Sequence, residues 1–368
     1  MGNKVMLVDL ISPKGHYKYN LNLINSLVNN NIYIKFIGDI NLITWLKKQN
    51  IDNRFVEFES FETSSHIFLI RQFSHIRQVK KSLAGEQYKA LICTSYHTIT
   101  LGIHSKKYFD VDRVLLFNHN NLNELSSFLK KKLFHSIYKK FNIHIVFENE
   151  FKESLERKYN KKLPKVRVLP HFVESRSSQG LCKKQDVIDN KINMLYIGND
   201  RGNKGLDTLI ESVNQLNSQN IKLKRIELVV SGALSKKYNM EQIIFRNSRL
   251  SDQEYKAAIE NADFIILPYK STFNNRVSGI FFNALTARKP VIVSNIRLFK
   301  HYFKKFGVLG YTFEADNPKK LAELLIEIDN YYNESKYKEF TENLQKMRGY
   351  YNNTKIERVL IELIQQSE

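Results

Sequence analysis

"YIGNDRGNKGLDTLIESV" runs from Tyr196 to Val213. Its apolar start reads as a strand ending at Gly198, and its amphipathic end reads as a helix beginning after Gly205. The turn between them carries Arg201 and Lys204. Two cations at the mouth of a strand-to-helix turn call for an anion between them, because the unpaired N–H groups of a helix start already make the place positive. The stretch contains neither GxxxxGK[ST] nor GxGxxG, which excludes a P-loop and the dinucleotide fingerprint. In this reading Gly198 lets a ligand approach the backbone, Arg201 grips two phosphate oxygens with its planar fork, and Lys204 is a point charge. A solvated turn with two surface cations is the alternative.

Outward from this stretch, short apolar runs alternate with amphipathic segments, the pattern of a parallel sheet covered on both faces. Strands are predicted at Val5–Leu10, Ile32–Ile37, Ala90–Cys93, Val114–Phe117, Ile143–Phe147 and Val166–Leu169, then at Met194–Ile197, Arg225–Val230, Phe264–Leu267 and Val291–Val293. Ser251 with Glu254 three residues later predicts a capping box. The polar stretch 173–191 lacks apolar periodicity and reads as a linker. The expected fold is α/β, with two Rossmann-like domains facing across a cleft and helices at the C-terminus. Residues 1–172 are expected to form the first domain, 192–350 the second, and 351–368 a closing helix packing back on the first domain.

A second stretch, "NNRVSGIFFNALTARKPVIVS" (274–294), places Ser278 and Gly279 at a helix start. Two helix N-termini behind small residues can converge on one diphosphate. Asn283, one turn further, is placed to bond a sugar hydroxyl, while Phe281 and Phe282 read as core.

The order strand, Gly, Arg-x-x-Lys-Gly, helix, then "RLSDQEYKAAIENADFIILPY", then "SGIFFNALTARKPVIVS", resembles the C-terminal domain of GT-B glycosyltransferases similar to glycosyltransferase family four. The resemblance is clear over 194–294. It implies that Arg201 and Lys204 bind the diphosphate of a nucleotide sugar, and that Ser278 and Gly279 approach the phosphates and donor sugar. It also implies cleavage of an anomeric C–O bond with release of a nucleoside diphosphate. One departure stands out: where the family has two Glu residues seven apart, this chain has Asn275 and Asn283. Asn283 can still bond a ribose hydroxyl but brings no charge, so retention or inversion stays open.

On the acceptor side the loop "ISPKGHYKYN" (11–20) carries Gly15 and His16, an arrangement similar to that of inverting family-one enzymes, whose His is a general base. An imidazole near neutrality can take the proton of an acceptor hydroxyl; a surface loop histidine is the plain alternative. His119, directly after a predicted strand in "VLLFNHNNLNEL", is a second candidate. By the resemblance it contacts the donor sugar, or else it caps its turn. Asp110 and Asp112 match an Asp-x-Asp metal pair only superficially, since they precede a strand. No metal and no cofactor are expected if Arg201, Lys204 and helix dipoles neutralise the leaving group.

The chain of 368 residues has a formal charge of +20, with 57 Lys+Arg against 37 Asp+Glu. Within it, 27 cations against 14 anions fall in the first 172 residues and 30 against 23 in the rest. This asymmetry points to an anionic partner in the first half or to compositional bias. Two cysteines without metal spacing, no bilayer-length apolar run and no signal layout predict a cytoplasmic protein, peripheral at most on the inner face of the membrane. In "SFLKKKLFHSIYKKFN" (127–142), Leu129, Leu133, Ile137 and Phe141 recur every fourth residue beside five lysines. On a helix they make an apolar ridge for an anionic membrane surface, or an ordinary helix packed on its sheet. The expected partners are a nucleotide sugar, a saccharide or lipid-linked acceptor and such a surface, in bacterial surface polysaccharide or glycolipid synthesis. A nucleotide-sugar epimerase of the same fold is the nearest rival. A nucleic-acid-binding protein is favoured by charge alone, because no nucleic-acid recognition motif is present.

Overall fold

The computed structural model describes residues 3–62, 65–103, 109, 111–119, 121–173, 191–198, 202–232, 234, 238–246, 250–273 and 275–365. The polar linker stretch falls, from 174 to 190, outside the described residues, as do Asp110 and Arg201. The chain divides into two compact units. One comprises Met1–Phe172 with Asn275–Val277 and the last helix; the other comprises Val173–Asn274 and Ser278–Asn352.

In the first unit β1 (Lys4–Asp9), α1 (Tyr17–Asn29), β2 (Tyr33–Gly38), α2 (Ile40–Lys47), β3 (Val56–Ser60), α3 (Phe68–Ala84), β4 (Ala90–Ser95), α4 (Thr98–Ile103), β5 (Val114–Phe117), α5 (Phe128–Lys140), β6 (Ile143–Val146), α6 (Asn149–Tyr159) and β7 (Val166–Val168) alternate. The strands pair in the order β3-β2-β1-β4-β5-β6-β7, every pair parallel. The central strands β4 and β5 are buried along their whole length, which is why they read as unbroken apolar runs.

The second unit holds β8 (Ile192–Ile197), α7 (Leu206–Ser218), β9 (Ile226–Ser231), β10 (Ile243–Arg246), α8 (Asp252–Asn261), β11 (Phe264–Leu267), α9 (Gly279–Ala287), β12 (Val291–Ser294), α10 (Arg297–Phe306), β13 (Gly310–Phe313), α11 (Pro318–Tyr331) and α12 (Glu334–Tyr350). Its sheet order is β10-β9-β8-β11-β12-β13, again all parallel. The capping box forms in full, with Ser251 Oγ accepting from Glu254 N and Glu254 Oε2 accepting from Ser251 N. The chain closes with α13 (Asn353–Gln365), which packs in the first unit against α1, where Ser26 Oγ donates to Glu357 at 3.2 Å.

Three strands were absent from the sequence reading: β3, β10 and β13. All three are sheet edges, and their half-exposed sequences VEFES, IIFR and GYTF lack a long apolar run. The ridge on α5 also resolves in favour of packing. Ile137 and Phe141 lie in a core shared with Ile76, Val79 and Leu83 of α3 and Leu101 of α4, and Leu133 closes on Gly102, so that a Cβ there would stand 2.9 Å from its own Cβ. Only Leu129, at the helix start, stays outside, with Phe128 beside it.

Candidate functional site

In open parallel sheets ligands gather beyond the carboxyl ends of the strands. At that edge of the second sheet, Gly198 ends β8 and its N–H donates to Ser231 O of β9 at 3.0 Å. A single 3₁₀ turn, Gly202–Lys204, leads to Gly205, which starts α7 with φ 70°. A Cβ on Gly205 would fall 1.7 Å from the carbonyl oxygen of Pro268, so only glycine lets the α7 start meet the end of β11. The neighbouring Gly232, with φ 144°, presses on Gly198 O, 2.1 Å from where a Cβ would stand. The turn is thereby fixed on two sides by backbone.

This packing gathers the residues singled out by sequence. The point above Gly198 where a side chain would begin lies 3.4 Å from Lys204 Nζ and 3.1 Å from Ile280 Cδ1. Gly198, the Lys204 ammonium and the first turn of α9 therefore border one space. Ser278 is the N-cap of α9: its Oγ accepts from Phe281 N at 3.1 Å and shares a 2.7 Å hydrogen bond with Tyr269 Oη. Its hydroxyl is thus engaged in holding the helix start, and the N–H groups of Gly279 and Ile280, which have no intrahelical partner, are what α9 offers an anion. Phe281 and Phe282 are buried core, as read from the sequence. Asn283 spends an amide proton on Tyr255 Oη of α8 at 3.1 Å, a contact with no local sequence signal. Asn275 adopts the left-handed region, φ 53°, a conformation Asn tolerates better than Glu.

The carboxyl edge of the first sheet is organised by Asp9, fully buried at the end of β1. Its carboxylate accepts from Ser12 N at 2.8 Å, Asn20 Nδ2 at 2.6 Å and the Ser95 hydroxyl. His16 N donates to Pro13 O at 2.8 Å, closing a short turn, and His16 then precedes α1 without capping it. Gly15 sits in the open, with nothing within 4 Å of where a Cβ would be. The fold brings His16 and His119 together: their ring centroids are 4.0 Å apart. Tyr19, one turn along α1, sets its ring 5.0 Å from His119 and 5.1 Å from His171. His16 Nδ1, His119 Nε2 and Tyr19 Oη are buried without a hydrogen-bond partner.

Burial lowers the pKa of His16, an effect Asp9 opposes. Burial, with the neighbouring His16 and His171, drives His119 well below the imidazole range, and burial pushes His171 down to about 4. All three are neutral at pH 7, and a neutral imidazole is the form that takes up a proton. Tyr19 and His171 were missed by sequence reasoning, since each joins the cluster through the order of strands rather than through any local motif.

Two all-parallel, helix-covered units, the second with a cationic glycine turn at the end of its first strand, define the GT-B fold of glycosyltransferases. The solved structures similar to this chain include sucrose-phosphate synthase (tll1590) from Thermosynechococcus elongatus, 13% identical over 98% of both chains with a TM-score of 0.72. They also include Anabaena Alr3699/HepE in complex with UDP and glucose, 13% identical over 98% of both chains with a TM-score of 0.70. WaaG, a glycosyltransferase involved in lipopolysaccharide biosynthesis, is 12% identical over 99% of this chain and 100% of its own, with a TM-score of 0.65. At such identities the likeness establishes the fold. No curated protein sequence matches the chain. Residues 181–347 match the family of glycosyl transferases group 1, and the chain is a glycosyltransferase.

Proposed function

We propose that the protein transfers a sugar from a nucleoside diphosphate sugar to a hydroxyl of a saccharide or lipid-linked saccharide, in the building of a bacterial surface polysaccharide or glycolipid. The observation that carries the donor assignment is the space bordered by Gly198, Lys204 Nζ and the α9 start. Lys204 brings a cation to it and the N-terminal turn of α9 begins beside it, the combination that suits a diphosphate. Two of the similar structures, Anabaena Alr3699/HepE and a TarM variant from S. aureus, hold UDP, which favours uridine as the first nucleotide to try.

In this reading the acceptor oxygen attacks the anomeric carbon, the C–O bond to the diphosphate breaks, and the charge developing on the leaving group is met by Lys204, Arg201 and the amides of Gly279 and Ile280. No metal ion is needed for that neutralisation. His16 takes the acceptor proton where the outcome is inversion, and His119 faces the donor sugar. The protein works in the cytoplasm, on the inner face of the membrane. Calorimetric titration with UDP and a panel of UDP sugars tests the donor site: saturable binding is expected, and it should be lost in Lys204→Ala. Equal binding by both proteins overturns the assignment.

A further inference from the structure

Among the described residues fourteen large apolar side chains are exposed, and six of them fall in two short runs. Ile67, Phe68, Leu69 and Ile70 open α3, at 60%, 39%, 44% and 51% exposure, and Phe128 and Leu129 open α5, at 72% and 57%. Both helices follow strands of one parallel sheet, so both starts lie at its carboxyl edge. Both also contribute to the same core, with Leu101 of α4 between them, which puts them on one face of the sheet. The two runs therefore crown one side of the first unit. Scattered exposed apolar residues need no explanation, but two helix starts of this kind on one face of a sheet do.

The two helices themselves carry charge of a single sign. Neither α3 nor α5 contains an acidic residue, while α3 carries Arg71, Arg77, Lys80 and Lys81 and α5 carries five lysines. Each exposed aromatic has a cation over its face: Arg71 stands 5.8 Å from the centroid of Phe68, and Lys132 Nζ stands 4.3 Å from that of Phe128. Of the acidic residues flanking the two helices, Glu124 before α5 is paired with Lys130 at 3.2 Å, and Glu62 before α3 is exposed, its N–H donating to Gln78 Oε1 at 3.1 Å. Apolar side chains at the tip with cations one turn behind are the profile of a shallow interfacial contact, in which the side chains enter the acyl boundary and the cations meet anionic headgroups.

We infer that the starts of α3 and α5 together form the surface by which this enzyme docks on an anionic lipid bilayer. The contact is made by Ile67–Ile70 with Phe128 and Leu129, and the ridge Leu133, Ile137 and Phe141 takes no part in it. The inference deepens the reading of a lipid-linked acceptor and rests on that reading for its purpose, yet its test needs no transfer.

Sedimentation would be measured with vesicles of phosphatidylcholine alone and of phosphatidylcholine containing about a third phosphatidylglycerol. The proteins compared are the native chain, Ile67→Ser/Phe128→Ser/Leu129→Ser and Arg71→Gln/Lys132→Gln. Circular dichroism checks each fold, and every substituted side chain is at or near the surface. The native protein should partition to the anionic vesicles and leave them as salt rises. The apolar triple variant should bind at least about tenfold more weakly, and the charge variant should lose most of the preference for anionic lipid. Equal partitioning of the native protein to both vesicles, or unchanged binding by the folded triple variant, overturns the inference. So does a native dimer in the absence of lipid that the triple variant converts to monomer, since the surface would then belong to a second copy. Transfer to a soluble saccharide, assayed in parallel, keeps the outcomes apart: vesicle binding without transfer would sink only the proposed reaction, and transfer without vesicle binding only the docking surface.

Discussion

Removing the ammonium of Lys204 should lower kcat/KM by about 2 to 4 kcal/mol of transition-state stabilisation, without unfolding the second unit. Steady-state kinetics with a UDP sugar would read this, and native turnover in Lys204→Ala would reject the diphosphate role. The pH dependence of transfer addresses His16. Burial lowers its pKa, so the acid limb of the rate profile should fall at a pH below the ordinary imidazole value, and His16→Ala should keep donor binding while losing transfer. Normal transfer by that variant would leave His16 a loop residue. Gly198 and Lys204 were legible in the sequence because a charge and a glycine at a strand end are local signals. The pairing of His16 with His119 was not, because it depends on β1 and β5 ending on either side of β4.

Among the elements, the central strands and the capping box on α8 could be read directly, since burial on both faces leaves a continuous apolar run and a cap is a four-residue pattern. The edge strands β3, β10 and β13 escaped because an edge is half in water and its sequence need not be apolar. For α5 periodicity identified the ridge correctly but could not say whether sheet or lipid covers it. The turn into α7 yields a sharp prediction. Gly205→Ala would place a methyl group on the Pro268 carbonyl at a positive φ, so thermal denaturation should show a loss of at least about 2 kcal/mol. A change within about 0.5 kcal/mol would mean that the turn relaxes freely.

At the scale of the whole molecule, buried histidines set the response to acid. Burial pushes His171 down to about 4 and His144, with Lys165 nearby, down to about 3. Unfolded, both would bind protons near pH 6.5. Stability is therefore complete above that pH and is lost as the pH falls toward the folded values, at up to about 1.4 kcal/mol per pH unit for each imidazole. Urea titrations between pH 7 and pH 4 should show this decline, and His144→Phe should reduce its slope. An identical slope in the variant would show that the carboxylates dominate instead.

The loop that carries His16 has fixed ends and an open crown. Ser12 Oγ donates to Asp9 O at 2.8 Å and accepts from Asp39 N at 3.1 Å, tying the loop to the end of β2, while Asn20 ties α1 to the Asp9 carboxylate. Gly15, by contrast, touches nothing that a side chain would displace. Mutational tolerance is thus divided within a few residues. Drift at Ser12, Asp9 or Asn20 undoes the anchorage, whereas position 15 can accept almost any side chain without cost to the fold. On the proposed reading of this loop as the acceptor side, a lineage built on this scaffold can change the acceptor it favours by rewriting the crown of one loop, while the anchorage of His16 is inherited intact.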